Sequence, residues 1–278
     1  ILLVFLTLFG ILILYPFYNA FLVSIVPNTV YLRYQGLMLW PPEVTMEAYT
    51  FTFKSSLIWY GYKNSILITF FGTIYNMILT VLCAYALTKP IPGGKFIRFA
   101  IVFTMYFSGG LIPSYLLIKD LKLMDTIASM ILPTGINIMY MLIISNYFKS
   151  LPPALEESAK IDGATDLRIL WSVILPLSLP LLATFTLYYA VERWNEWYLA
   201  MLYVKSVQKW PLQNVLRTII NDVNMMATQN IPGQAKPDIQ GDSIKMSSII
   251  VAMAPIMCLY PFLQRYFLSG LTLGAVKE

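Results

Sequence analysis

The side chains able to do chemistry in this chain are few and unevenly placed. Histidine, the commonest general base and metal ligand near neutral pH, does not occur. The run Gly93-Gly94-Lys95 has Lys89 where a phosphate-binding loop G-x-x-x-x-G-K-[ST] needs its first glycine, so that route to a nucleotide is closed. The carboxylates are scattered. Glu192 with Glu196, among Trp194 and Trp197, is the one acidic pair at the edge of an apolar run. No hydrolytic constellation and no metal cluster emerge. The expectation is a chain that is not an enzyme and holds no metal and no cofactor of its own.

What remains are polar and helix-breaking residues set inside apolar runs. Ser108-Gly109-Gly110-Leu111-Ile112-Pro113 is one break, and Pro133-Thr134-Gly135-Ile136-Asn137, followed by Tyr140, is another. Backbone freed by proline or glycine at membrane depth is tolerated where it is buried in protein or lines a watery cavity. Each break is therefore either a packing kink or part of a pathway. Tyr188, Tyr189 and Glu192 close a further run, and Asn195 follows. Ionisable groups at membrane depth are functional candidates by default, whereas Trp and Tyr also form ordinary interfacial belts. The candidate solute-pathway residues are Asn137, Tyr140, Tyr188, Glu192 and Asn195. An aromatic face with amide and carboxylate groups nearby suits a sugar, which offers apolar C–H faces and many hydroxyls.

Composition says what must position these residues. The chain is 58% hydrophobic and 12% charged, with a mean hydropathy of +0.67, far from the balance of a soluble domain. Its net charge of +5 is small and spread over loops, which suits anchoring at a membrane and argues against a nucleic-acid partner. Cys83 and Cys258 sit inside apolar runs and read as packing residues with no disulfide. A transmembrane helix needs about 20 residues. Six stretches qualify: about 1–26, 65–87, 99–118, 126–148, 171–191 and 246–268. Pro16 is expected to kink the first, a polar, aromatic-rich loop fills Pro27–Lys63, and a long polar loop spans about 204–245. This predicts one all-α integral membrane domain over 1–278, bathed in lipid. Ile1 opens inside an apolar run with no methionine before it, so the true N-terminus is expected upstream. The run is too long for a signal peptide and has no small-residue cleavage site.

Between the fourth and fifth stretches lies the longest ordered break in hydrophobicity, Leu151–Pro180. Pro152 and Pro153 suit a first helical turn, whose N–H groups lack intrahelical partners. Ala154–Ile161 reads as a short amphipathic helix with Leu155, Ser158, Ala159 and Ile161 on a broad face. Glu156 and Lys160 are spaced i,i+4, leaving Glu157 for an outside partner. Asp162-Gly163 ends the helix, since glycine accepts a positive φ. A short helix bracketed by spans must lie on a surface and meet something. Basic residues of short loops (Lys89, Lys95, Arg98, Lys149, Lys160, Arg168) are denser on this side, while raw count favours the other, longer loops. Density favours this side as cytoplasmic, but the charge rule alone does not settle the orientation.

Glu157-Ser158-Ala159, Asp162-Gly163-Ala164 and Ile174-Leu175-Pro176 with Pro180 resemble the EAA loop of ABC importer permeases, in the subfamily that carries sugars. Ser158 replaces the first alanine, a small-for-small change. Trp194-Asn195-Glu196 resembles that family's W-N-[ED] element. The tail Phe267–Lys277 is similar to its F-x-x-G-x-x-x-G-A-x-K ending, and Gly109–Tyr115 looks like the branch handling complex oligosaccharides.

The resemblance implies a type I ABC importer permease fold of six transmembrane helices, in a bacterial cytoplasmic membrane. Residues 152–163 would form the cytoplasmic coupling helix, with Glu157, Ser158, Ala159, Asp162, Gly163 and Ala164 engaging an ATPase. Gly270, Gly274 and Lys277 would contact the same subunits, or else form a free tail. The implied partners are a second homologous permease subunit, two ATP-binding subunits carrying ATP and Mg2+, and an extracytoplasmic solute-binding protein met by the 204–245 loop. That loop is equally read as a plain connector. The implied function is carbohydrate import by alternating access. A permease for a peptide or polyamine, and a non-transport membrane sensor, are the alternatives.

Overall fold

The computed structural model describes residues 2–34, 38–228 and 241–275, with side chains given as far as Cys258 apart from residues 32, 224 and 226–228. Every regular element among them is helical. The helices are α1 (Leu2–Ser24), α2 (Asn28–Arg33), α3 (Glu47–Lys54), α4 (Ser56–Ala86), α5 (Gly94–Tyr106), α6 (Leu111–Asp120), α7 (Ala128–Ile131), α8 (Ile138–Ser150), α9 (Pro153–Ile161), α10 (Asp166–Ile169), α11 (Leu175–Leu177), α12 (Leu179–Trp194), α13 (Tyr198–Tyr203), α14 (Leu212–Thr228) and α15 (Gly241–Ala275). Lys277 and the Pro/Gly-rich stretch Asn230–Gln240 lie outside the described residues.

Among the described residues three helices are long and apolar enough to cross a membrane alone: α1, α4 and Gly241–Cys258 of α15. Three bent pairs pass the same test together: α5 with α6 (108°), Ala128–Thr134 with α8 (51°), and Asp166–Leu177 with α12 (88°). Counting each pair as one crossing gives six, at the six apolar stretches of the sequence. The bends have local causes. Residues 107–110 leave the helix, and Gly110 sits at φ +87°, where only glycine is unstrained. Pro133 lies in a 3-10 turn and Asn137 is extended. Pro176, Pro180 and a π-helical turn over Leu170–Ile174 surround the bend at Ser178; proline lacks the N–H that would continue the ladder. The fifth stretch is therefore not one straight span from 171 to 191. By contrast α1 runs unbroken through Pro16.

The chain forms two compact units, and α4 begins in the first and ends in the second. The first holds residues 1–63 and 210–258. Its small core joins Ala48 of α3, Val223 of α14 and Ile244 of α15, while Leu22, Val26 and Met38 cluster at the end of α1. Small hydroxyls bind across helices: Thr52 to Ser247 (3.2 Å), Ser24 to Tyr49 (2.8 Å), and Ser243 Oγ to the Val26 carbonyl (2.7 Å). Such bonds join helices where burial alone gives little preference between lipid and protein. Two stretches expected as loops carry helix. Within 27–63 lie α2, α3 and the start of α4, and within 204–245 lies the 17-residue α14. Hydropathy averages hide α14, because its apolar residues Leu212, Val215, Leu216 and Val223 fall on one buried face among polar ones.

The second unit, residues 64–209 and 259–278, contains the larger core. Val81, Ala84 and Tyr85 of α4 meet Met141, Ile144 and Phe148 of α8, and Ile169, Leu170, Ile174, Leu182 and Phe185 from the α10–α12 stretch. Cys83 packs at its margin. At one loop cluster Asp125 accepts from the Lys205 and Ser206 N–H groups, from Ser206 Oγ (2.7 Å) and from Lys209 Nζ (3.0 Å). The bonds from Ser206, then that from Lys209, hold the Asp125 carboxyl well below the usual carboxylate range.

Candidate functional site

Two groups of residues in the second unit carry the polar geometry. The first is α9 and its corner. Pro152 stands at the N-cap position without a side-chain capping bond, and Pro153 takes the first helical position, where the missing N–H costs nothing. At the other end Gly163 donates to the Lys160 carbonyl (3.0 Å) and Ala164 to the Ala159 carbonyl (3.0 Å). This pair of bonds is a Schellman motif, and it places Gly163 at φ +77°. Ala159 and Ala164, the two ends of the longer bond, both pack against the main core. Thr165 then caps α10 by accepting from the Arg168 N–H. The D-G-A run is thus a fold instruction: stop the helix, turn, and seat an alanine.

No residue of α9 is buried. Glu157, Ser158 and Asp162 face outward, and Ile161 is 87% exposed. Of the six coupling candidates, Ala159, Gly163 and Ala164 shape the corner, while Glu157, Ser158 and Asp162 present an outer face. Glu156 pairs with Lys89 and not with Lys160, and Lys89 also lies 3.4 Å from Asp166. Burial works against the Lys89 ammonium, but Glu156 and Tyr85 more than offset it, so its pKa is raised. A cleft of about 290 Å³ opens alongside, lined by Thr88, Phe148, Lys149, Pro152, Glu157 and Lys160 among others.

The second group lies where the break before α8 meets α4 and α12. Arg193 is almost fully buried, and each of its three nitrogens donates: Nε to Asn76 Oδ1 (3.0 Å), Nη1 to the Met130 carbonyl (3.0 Å), Nη2 to the Thr134 carbonyl (3.0 Å) and hydroxyl. Asn76 Nδ2 donates to the Thr134 and Gly135 carbonyls. Carbonyls released by the Pro133 break thus find partners from two other helices, as membrane depth requires. Gly72 makes room: a Cβ there would stand 2.8 Å from Arg193 Cδ. One turn earlier on α12, the Tyr189 hydroxyl bonds Thr80 (2.7 Å) and accepts from the Asn137 N–H (2.9 Å).

This scaffold carries the candidate pathway residues. The Tyr140 hydroxyl donates to Glu192 Oε1 at 2.6 Å, and its ring packs on Phe185, Tyr188 and Tyr189. Tyr140, Tyr188 and Glu192 therefore form one aromatic–carboxylate patch. Asn137 adjoins it, but its Oδ1 caps α8 by accepting from the Met139 and Tyr140 N–H groups. Asn195 ends α12, exposed, with Nδ2 on the Val191 carbonyl. Gly270 and Gly274 lie in α15. Sequence reasoning missed Arg193, Asn76 and Lys89 as organisers. The available signal was polar residues four apart on two apolar helices, Asn76 with Thr80 and Tyr189 with Arg193.

The family described as "Binding-protein-dependent transport system inner membrane component" matches residues 1–272. The polygalacturonan/rhamnogalacturonan transport system permease protein YtcP of Bacillus subtilis (strain 168) is 39% identical over 98% of this chain and 96% of its own length. Protein LplC of the same organism is 41% identical over 88% and 83%. Among solved structures, a bacterial ABC transporter involved in the import of the acidic polysaccharide alginate matches with a TM-score of 0.84 and 33% identity, covering 95% of this chain and 94% of that one. With its helices, its six crossings and its α9 corner, the chain belongs to the family of binding-protein-dependent transport system inner membrane components, as an all-α membrane permease of the type I ABC importer fold.

Proposed function

We propose that this chain is one permease subunit of an ATP-driven importer that moves a carbohydrate, an oligosaccharide, into the cytoplasm by alternating access. The observation that carries the reading is α9: a short helix with no buried residue, closed by a Schellman turn and set between two apolar stretches. Its outer face, with Glu157, Ser158, Asp162 and Ile161, suits a groove on an ATP-binding subunit. ATP and Mg2+ belong to two such subunits, since this chain has no phosphate-binding loop. A second homologous permease subunit completes the pore, and an extracytoplasmic binding protein delivers the solute, with the 204–245 segment on its side. Gly270, Gly274 and Lys277 add a contact to the ATP-binding subunits.

The saccharide names of the relatives support the substrate class, and so does the patch of Tyr140, Tyr188 and Glu192. Rings take the C–H faces of a pyranose, and the carboxylate and amides take its hydroxyls. A peptide or polyamine permease is the competing reading, and the Glu192 carboxylate would suit a cationic solute.

The test is uptake of labelled oligosaccharide by cells carrying Glu157→Ala. ATP-dependent uptake is expected to be lost while membrane insertion stays intact. Normal uptake would remove the coupling role. Mass spectrometry of solute co-purified with the complete assembly, with its binding protein, decides between saccharide and cation.

A further inference from the structure

Helix α9 has no buried residue. Among the described residues its packing onto the core runs through Ala159, with Leu151 and Ala164 on the flanking chain. A second tie is electrostatic and comes from far along the sequence. Lys89, three residues past the end of α4, pairs with Glu156 on α9 and lies 3.4 Å from Asp166 on α10. Its Nζ also stands 4.3 Å from the centroid of the Tyr85 ring, and Tyr85 is buried against Phe148 at the end of α8. One ammonium thus bridges both helices that flank the Asp162–Gly163 corner and anchors them to the ends of α4 and α8. The Lys89 and Glu156 side chains are only 18% and 26% exposed, so water screens this pair less than an open surface pair. Glu157, the next residue, is left outward.

We propose that Lys89 is a positioning residue for energy coupling: by bridging Glu156 and Asp166 it makes α9, the corner and the end of α4 one body, so that displacement of α9 is delivered to the spans. The proposal rests on the reading of α9 as the coupling helix. A flexible α9 would still dock on its ATP-binding subunit, but part of the motion would be lost in the corner.

The test uses the complete transporter in proteoliposomes, with its ATP-binding subunits and binding protein, and measures solute imported per ATP hydrolysed. Lys89→Met is expected to lower that ratio about tenfold, the scale on which residues linking two sites alter coupling. Glu156→Gln should lower it similarly, and the double variant should be no worse than the worse single one, because both break the same bridge. Lys89→Arg should restore at least half of the ratio. Co-purification of the ATP-binding subunits should be unchanged in all of them. A wild-type ratio in Lys89→Met, or losses that multiply in the double variant, would overturn the proposal. If Lys89→Met does not assemble, Glu156→Gln decides: an unchanged ratio there overturns it equally. Normal uptake by Glu157→Ala removes the coupling-helix reading itself. Loss of uptake there with a normal ratio in Lys89→Met removes only the bridge.

Discussion

The Tyr140 hydroxyl donates to Glu192 Oε1 across 2.6 Å, joining the first turn of α8 to the last turn of α12. Three further rings surround Tyr140, so the carboxylate is held at the edge of an aromatic surface and cannot swing freely.

If this patch contacts the solute, Glu192→Gln should weaken transport through affinity. A hydrogen bond to a charged group contributes about 1.5–3 kcal/mol, so KM is expected to rise about tenfold or more. Maximal rate should change less, because glutamine can still accept from Tyr140. Concentration-dependent uptake in vesicles measures both; an unchanged KM removes Glu192 from the pathway.

Arg193 serves the fold. Arg193→Met leaves Asn76 Oδ1 and the Met130 carbonyl without this donor at buried positions, and the Thr134 carbonyl with one donor fewer, and should destabilise by about 3 kcal/mol. Arg193→Lys should recover only part, because an ammonium lacks the planar fork that reaches three acceptors. Gly72→Ala, whose Cβ would press on the Arg193 stem, should cost about 1–3 kcal/mol. Thermal unfolding of the detergent-solubilised assembly orders these variants against wild type.

At Gly163 space is open and only the backbone sign matters: φ is +77° and no atom lies within 4 Å of where a Cβ would stand. Gly163→Asn should be tolerated, because asparagine visits the left-handed region, whereas Gly163→Val should cost about 1–2 kcal/mol locally and misalign α9. The expected outcome is near-normal uptake for asparagine and a clear loss for valine. Equal uptake by both would show that the corner need not be rigid.

The Asp125 clamp gives a pH signature. Ser206 and Lys209 lower the folded-state pKa of Asp125, so its contribution to stability is present above the ordinary carboxylate value and is lost as pH falls below it. Asp125→Asn should therefore melt earlier than wild type at neutral pH, and the gap should narrow only below about pH 4. A gap that is constant from neutral to acid pH would show that the aspartate charge contributes nothing.

Much of the α9 corner was legible in the sequence because its causes are local. Pro152 and Pro153 set a first turn, and Asp162-Gly163-Ala164 sets a Schellman turn, through bonds that reach no further than five residues. The apolar stretches were legible for a similar reason, since burial in lipid is demanded of every residue along a span. The helix in 212–228 was not, because amphipathic character is lost when hydropathy is averaged along the chain.

What the sequence by itself determined is the membrane class, six apolar crossings, the corner, and the lack of a nucleotide loop. The tertiary structure alone decided partnership. Glu156 had a local candidate in Lys160 and chose Lys89, 67 residues away. Arg193 reached Asn76 across 117 residues, and Asn137 gave its side-chain oxygen to a helix cap. A buried donor takes whichever acceptor the packing of helices brings within about 3 Å, and that geometry is set only when non-neighbouring spans meet.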